Sequence, residues 1–236
     1  MSFHPYDNGH GSFYGGEYPI GLYLSNTFLW MFLGLMITFG TAVVCWLSGI
    51  SFLFFQGIGY ILIGAAQLIL VLTLSALIER LSVGAARICF LGYSVLTGLT
   101  LSVYLYLFEL TSLLFVFLLT ALFFGVFGLY GRMTKQDLSG LGPILVGGLI
   151  AIVVYGLLSL FIPGLGILDA VMNLAGIAIF LGFTAYDMQK IQHFYYYYQN
   201  DAEMLEKATI FSALELYLDF INLFLHLVRF LGKRKD

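Results

Sequence analysis

The chain has 236 residues, of which 61% are hydrophobic and only 10% are charged, whereas a soluble domain carries about a quarter charged residues. The net charge of −3 is too small and too spread out to indicate a nucleic-acid partner. Composition therefore excludes an ordinary soluble domain and predicts a membrane protein in contact with the lipid bilayer. Cys45 and Cys89 both lie in apolar runs, so we expect no disulfide, and we expect no bound metal or cofactor.

The chain begins with residues 1–21, which are rich in Gly, Tyr and His and contain no Lys or Arg. We predict a flexible tail there rather than a signal peptide. Residues 22–236 are predicted to form one seven-helix transmembrane domain, because they contain seven apolar runs long enough to cross about 30 Å of hydrocarbon. The runs cover 22–48, 53–78, 86–107, 111–131, 140–162, 168–188 and 208–232.

Short connections between most of these runs predict that consecutive helices are antiparallel neighbours. Gly49, Pro143 and Pro163–Gly164 are expected to mark helix ends. The one long connection is predicted at 189–207, where four adjacent tyrosines, Tyr195 to Tyr198, are typical of a belt at the level of the lipid headgroups.

The last run, Ala208 to Gly232, carries six polar side chains at intervals of three or four residues, which places them on one face of a helix. We call them the polar row: Ser212, Glu215, Asp219, Asn222, His226 and Arg229. An acid in hydrocarbon is costly, so the row has to face protein or water and the helix is expected inside a bundle. A helix lying on the membrane surface is the alternative. The outward positions are expected among Leu218, Phe220, Leu223 and Phe224.

Basic residues are divided unequally between the two sets of loops. If all seven runs cross the membrane, one side holds six of them and the loops on the other side hold none; the six are Arg80, Arg87, Arg132, Lys135, Lys190 and Lys207. The positive-inside rule then places the N-terminus in the cytoplasm. The basic C-terminal end, from Arg229 to Lys235, would lie outside, against that rule. We favour a last helix that crosses over one that re-enters.

A second informative stretch, GFTAYDMQKIQ from Gly182 to Gln192, closes the sixth run. By itself Asp187 is typical of a solvated helix end. Because the sixth and seventh runs are predicted to be antiparallel, Asp187 and Asp219 are expected at similar depth. Two carboxylates that close do not both ionise readily.

The stretches SALIERLS, YSVLTGLTLS, KQDLSGLGP, GFTAYDMQKIQ and ALELYLDFINLFLHLVRFLG together resemble the transmembrane Bax inhibitor motif family, particularly its bacterial inner-membrane members. The resemblance covers about residues 22–234. It implies an all-α polytopic membrane protein of seven transmembrane helices, with the last helix central and wrapped by the other six. It also implies a pH-sensitive Ca²⁺ leak gated by an aspartate pair, here Asp187 and Asp219. Arg80 matches a basic latch to the first aspartate, although a solvated helix end explains Arg80 equally well.

Three classes of function stay open at this stage. In a cation leak, Asp187 and Asp219 would sense protons and Glu215 would be a further acidic residue of the path. A non-transporting regulator would bind another membrane protein, such as a protease, through the N-terminal tail. An intramembrane aspartyl protease is disfavoured, because Asp219 lacks the GxGD context and no PAL motif follows; we expect no enzyme. His226 could titrate near neutrality, but a hydrogen-bonded packing role is expected.

Overall fold

The computed structural model describes residues 19–54, 59–162 and 165–235, and all regular elements in these ranges are helices. Six of the helices are long and apolar enough to cross a membrane, and the apolar part of another, Ile61–Leu77, is shorter. The chain is therefore an all-helical, multi-pass membrane protein in its described part. The helices are α1 Ile20–Ser48, α2 Ser51–Phe54, α3 Gly59–Leu77, α4 Val83–Leu107, α5 Leu110–Met133, α6 Leu141–Phe161, α7 Asp169–Tyr198 and α8 Ala202–Leu231, with a 3₁₀ turn at Leu165–Leu168.

Helix ends follow local sequence signals. α1 ends at Ser48 because Gly49 adopts φ 70°, a left-handed conformation that glycine accepts without strain. α8 begins after Asp201, whose carboxylate accepts a hydrogen bond from the N–H of Met204 at 3.0 Å. Pro143 lies in the first turn of α6, where its missing N–H has no helical partner to lose. Pro163–Gly164 and the predicted tail up to residue 18 lie outside the described residues.

Two predicted boundaries are wrong. The connection predicted at 189–207 is in fact helical, since α7 continues to Tyr198 and α8 starts at Ala202. No Gly or Pro occurs in 189–207 to end the helix, so α7 persists beyond its apolar run. The described residues of the second run form α2 up to Phe54 and α3 from Gly59, and residues 55–58 between them lie outside the described residues. α1 begins at Ile20, inside the predicted tail.

α8 is the most buried helix of the bundle. In its most apolar 18 residues 67% are buried, against 11% to 44% in the other five long apolar helices. It packs against α1, α4, α5 and α7, while α3 packs on α4, and α6 packs on α7. In the described part of the chain α8 thus packs closely against four helices; that all six other helices wrap it stays a prediction.

This packing corrects the expected outward face of α8. Leu223 has 0% exposure and Phe220 has 4%, although both were expected among the outward positions. Leu218 and Phe224 are half-buried. A helix enclosed on four sides has few outward positions, so most apolar residues of α8 contact protein, and the exposed Phe230 and Leu231 lie at its end.

Two glycines bring the surrounding helices into backbone contact. A methyl group at Gly98 of α4 would lie 2.5 Å from the carbonyl oxygen of Thr38 in α1. One at Gly131 of α5 would collide with the carbonyl oxygen of Ala185 in α7. Small residues at such positions allow the close helix approach that is typical of membrane bundles.

α8 runs the whole length of the bundle in the same direction as α4. Near the start of both helices, Arg87 of α4 forms an ion pair with Glu206 of α8. Near their ends, Arg229 of α8 donates to the hydroxyl of Tyr104 of α4 at 3.0 and 3.2 Å. The last helix therefore crosses the bundle and does not re-enter it. Which end faces the cytoplasm stays a prediction.

The residues after α8 cover the junction of α4 and α5. The Glu109 N–H donates to the Lys233 carbonyl at 2.9 Å, and the Lys235 N–H donates to the Leu107 carbonyl at 3.0 Å. The Lys233 ammonium also lies 2.7 Å from a Glu109 carboxylate oxygen. The C-terminal segment is thus fixed at the end of the bundle opposite to the connection between α7 and α8.

Candidate functional site

Two buried aspartates meet between α7 and α8. Asp187 of α7 is 6% exposed and Asp219 of α8 is 4% exposed. Their carboxyl groups are close enough to interact, and Glu215 of α8 lies near enough to act electrostatically on both. The structure thus brings together two aspartates that are 32 positions apart in the sequence, together with a third acid. We call these three side chains and Lys190 the acid cluster.

Helix spacing and direction explain why these side chains converge. Asp187 and Lys190 are three residues apart on α7, and Glu215 and Asp219 are four residues apart on α8, so each pair lies on one helix face. α7 and α8 are antiparallel and joined by residues 199–201 only. Lys190 is therefore opposite Glu215 and Asp187 is opposite Asp219.

Lys190 supplies the positive charge of the cluster. Its ammonium nitrogen lies 2.5 Å from Glu215 Oε1, and the two side chains are 31% and 15% exposed. The ammonium also lies 5.4 Å from the ring centre of Phe194 and 5.6 Å from that of Phe211, which favours a cation further. From the sequence, Lys190 was interpreted only as a loop charge. Its three-residue spacing from Asp187 was the signal that could have identified it.

Two carboxylate oxygens of the cluster have no hydrogen-bond donor among the described residues. They are Asp219 Oδ2 and Glu215 Oε2, and both are buried. A buried acceptor without a donor is costly, so these oxygens are where a proton or a passing cation would be stabilised most. Within the same described ranges no group of three or more His, Cys, Asp or Glu side chains is arranged to hold a metal ion.

Other members of the polar row are held by ordinary hydrogen bonds. Ser212 lies 3.1 Å from the hydroxyl of Tyr23 on α1. Asn222 donates to the carbonyl of Leu218 in its own helix at 2.8 Å. The polar row therefore faces neighbouring helices along its length, as was expected because acids in hydrocarbon are costly.

His226 is packed rather than free. Its Nδ1 lies 3.1 Å from Asn173 Oδ1, and its ring stacks on Phe180 with centres 5.7 Å apart. A methyl group at Gly176 would lie 2.5 Å from the imidazole, so this glycine makes room for the ring. This is the hydrogen-bonded packing role that the sequence favoured.

Arg80 is not brought to Asp187. Its side chain is exposed in the turn after α3 and forms no ion pair within the described part of the chain. The physical reason is that α3 packs on α4 rather than on α7. In this conformation Lys190, and not Arg80, is the cation beside Asp187.

Comparison with known proteins covers almost the whole chain. Residues 21–236 match the family described as inhibitor of apoptosis-promoting Bax1. The chain is 40% identical over 219 residues to the inner membrane protein YbhL of Escherichia coli. The aligned region covers 90% of this chain and 92% of that protein. An uncharacterized protein of Rickettsia prowazekii is 38% identical over 198 residues, or 84% of this chain and 75% of its own length. An uncharacterized membrane protein of Streptococcus pyogenes is 38% identical over 172 residues, covering 72% and 73%.

Proposed function

The chain belongs to the Bax inhibitor-like family of membrane proteins, and from that premise we propose that it is a pH-sensitive Ca²⁺ leak of a bacterial inner membrane. The gate in this proposal is the aspartate pair, Asp187 and Asp219. The observation that carries it is the acid cluster, in which two buried aspartates lie beside the half-buried ion pair of Lys190 and Glu215 at the seam between α7 and α8.

Charge in the cluster depends on one proton. When Asp187 and Asp219 share a proton they carry one negative charge, which with Glu215 and Lys190 gives a net charge of about −1. Loss of the proton changes the net charge to about −2 and leaves two carboxylates facing each other. Repulsion between unit charges 4 Å apart is about 4 kcal/mol at an effective dielectric constant near 20. Such an energy is comparable to the gap between two conformations of a helix bundle.

We infer that the protonated pair holds α7 against α8 and that loss of the proton separates them. The cytoplasmic mouth in this proposal is the end of the seam where α7 and α8 are joined. Lys190 limits the repulsion by remaining paired with Glu215, so that separation depends on the aspartates. Protons are thus the signal and Ca²⁺ is the ion that passes.

A cluster of carboxylates suits a Ca²⁺ path because this cation prefers oxygen ligands. Conduction also requires that each site bind the ion weakly enough to release it. Glu215 and Asp219 offer oxygens that lack donors, while Asn222 and His226 continue the polar row towards the other end of α8. We therefore propose Glu215, Asn222 and His226 as residues along the path. We propose no enzymatic role.

Proteoliposomes that contain a Ca²⁺ indicator test this proposal. The wild-type protein is expected to admit Ca²⁺ faster than protein-free vesicles, and Asp219→Asn is expected to change that rate. Asp201→Asn is the matched control, because it makes the same chemical change at an exposed helix cap where Asn caps equally well. Absence of Ca²⁺ entry with the wild-type protein would overturn the leak. It would favour a non-transporting regulator that binds a membrane protease or another membrane protein.

A further inference from the structure

A second polar region lies far from the acid cluster, at the end of the bundle where α8 finishes. A cavity of about 680 Å³ is bounded there by α4, α6, α7 and α8, and we call it the distal cavity. Its volume is in the range of small-molecule sites. α4 and α6 border it but do not pack closely on each other, so the cavity is open between them towards the lipid.

Two arginines line the distal cavity and share one aromatic support. Tyr104 in the last turn of α4 and Phe108, the residue just after the helix, are stacked with their rings 9° from parallel. Arg229 donates two hydrogen bonds to the Tyr104 hydroxyl, and the guanidinium of Arg234 lies 5.9 Å from the centre of the Phe108 ring. Both guanidinium groups are therefore held in place by neutral partners.

Neither arginine is neutralised by a carboxylate in the described part of the chain. Of the two neighbouring lysines, Lys233 pairs with Glu109, while Lys235 donates to the Leu105 carbonyl at 2.8 Å. Neither lysine lines the distal cavity. The positive charge that lines the cavity is thus that of Arg229 and Arg234, and a planar guanidinium pair is suited to the oxygens of a phosphate.

A single acid, Asp169, lines the same cavity from the first turn of α7. One of its oxygens accepts a hydrogen bond from Tyr155 of α6 at 2.5 Å. The cavity therefore presents two positive groups and one negative group, together with apolar side chains such as Ile152 and Phe230. This arrangement complements a zwitterion that carries both a phosphate and an amine and is attached to an apolar chain.

We propose that the distal cavity binds the headgroup of phosphatidylethanolamine. Its phosphate lies on Arg229 and Arg234, and its ammonium donates to Asp169. The glycerol and acyl chains leave between α4 and α6, where the cavity is open to the bilayer. The acid cluster contributes no side chain to this cavity, although His226 of the proposed path lines it, so lipid binding is measured separately from the Ca²⁺ leak.

Native mass spectrometry of the delipidated full chain in detergent tests this site by titration with phosphatidylethanolamine. Loss of a charge-assisted hydrogen bond weakens binding by about tenfold, so Arg229→Gln/Arg234→Gln is expected to lower the affinity by at least about tenfold. Arg132→Gln/Lys135→Gln removes the same charge from exposed positions at the other end of the bundle and is expected to leave it unchanged. Equal losses in both double variants, or no loss in the first, would overturn the proposal.

Two further binding measurements identify the ligand. Phosphatidylcholine cannot donate from its trimethylammonium group, so the wild-type protein is expected to prefer phosphatidylethanolamine and Asp169→Asn is expected to lose that preference. A preference that survives Asp169→Asn would contradict the assigned ammonium contact. Inorganic phosphate is expected not to displace the lipid, and displacement would make free phosphate the ligand instead. If the double arginine variant does not fold, Arg229→Gln and Arg234→Gln are measured singly and each is expected to weaken binding.

Discussion

Replacement of Lys190 by methionine tests the energetic role of the cation in the acid cluster. Methionine keeps an unbranched side chain and a similar helix propensity, so the main change is the loss of the ammonium group. Glu215 then loses the partner that lies 2.5 Å from its Oε1, while its other carboxylate oxygen already has no donor among the described residues. The variant thus leaves a charged acid nearly uncompensated inside the bundle.

The magnitude follows from the burial of the pair. Removal of one partner from a buried ion pair costs about 3–5 kcal/mol, because the other charge stays buried. Lys190 is 31% exposed and Glu215 15% exposed, so water screens part of the effect and we expect about 3 kcal/mol, the lower end of that range. Replacement of both partners by apolar residues is often close to neutral. The double variant Lys190→Met/Glu215→Leu should therefore lose about 1 kcal/mol or less.

A double-mutant cycle measures this directly. The free energy of unfolding in detergent micelles is determined by denaturant titration for the wild type, Lys190→Met, Glu215→Leu and the double variant. We expect the double variant to be more stable than Lys190→Met. The reasoning is refuted if Lys190→Met is as stable as the wild type, or if the double variant loses the sum of the two single effects.

Three other outcomes follow from packing and topology. Gly131→Ala is expected to lower the free energy of unfolding in detergent by about 1–3 kcal/mol, because the added methyl group collides with the backbone of α7. Gly128→Ala is the control, since its methyl group meets only ordinary contacts. Equal stability of the two variants would contradict close packing of α5 and α7. Leu223→Ala, at a fully buried site, should lower the free energy of unfolding by about 2–5 kcal/mol. Ile144→Ala, at a side chain 70% exposed on α6, should change it little. A larger loss for Ile144→Ala than for Leu223→Ala would place α8 at the lipid. A reporter after Lys235 is expected on the opposite side of the membrane from one at the N-terminus, and the same side for both would refute a crossing α8.

Apolar runs were sufficient to predict most of the helices, because a segment in hydrocarbon has to satisfy its backbone internally and a helix does so. The central position of α8 followed from the polar row, since a buried row of acids, amide and imidazole needs protein on its side. Hydropathy does not report where a helix ends in water. That is why the extension of α7 to Tyr198 was missed, as was the start of α8 at Ala202.

The cation of the site was harder to predict from the sequence than its two aspartates. Asp187 and Asp219 could be placed at one depth because α7 and α8 are sequential and antiparallel. The choice between Arg80 and Lys190 as the nearby cation depends on which helix packs against α7, and pairwise helix packing has no simple signal in one sequence. For the same reason Leu223 was expected to face outward, although four helices enclose α8 and bury this residue completely.

The pH dependence of Ca²⁺ entry into proteoliposomes tests the central claim most directly. Wild-type flux is expected to rise with pH, as the proton shared by Asp187 and Asp219 is lost and the carboxylates repel each other. Asp187→Asn and Asp219→Asn should each give a flat profile, because a neutral amide cannot take part in that repulsion, while Asp201→Asn should keep the wild-type profile. Wild-type pH dependence in both cluster variants would contradict the assignment of the aspartate pair as the sensor.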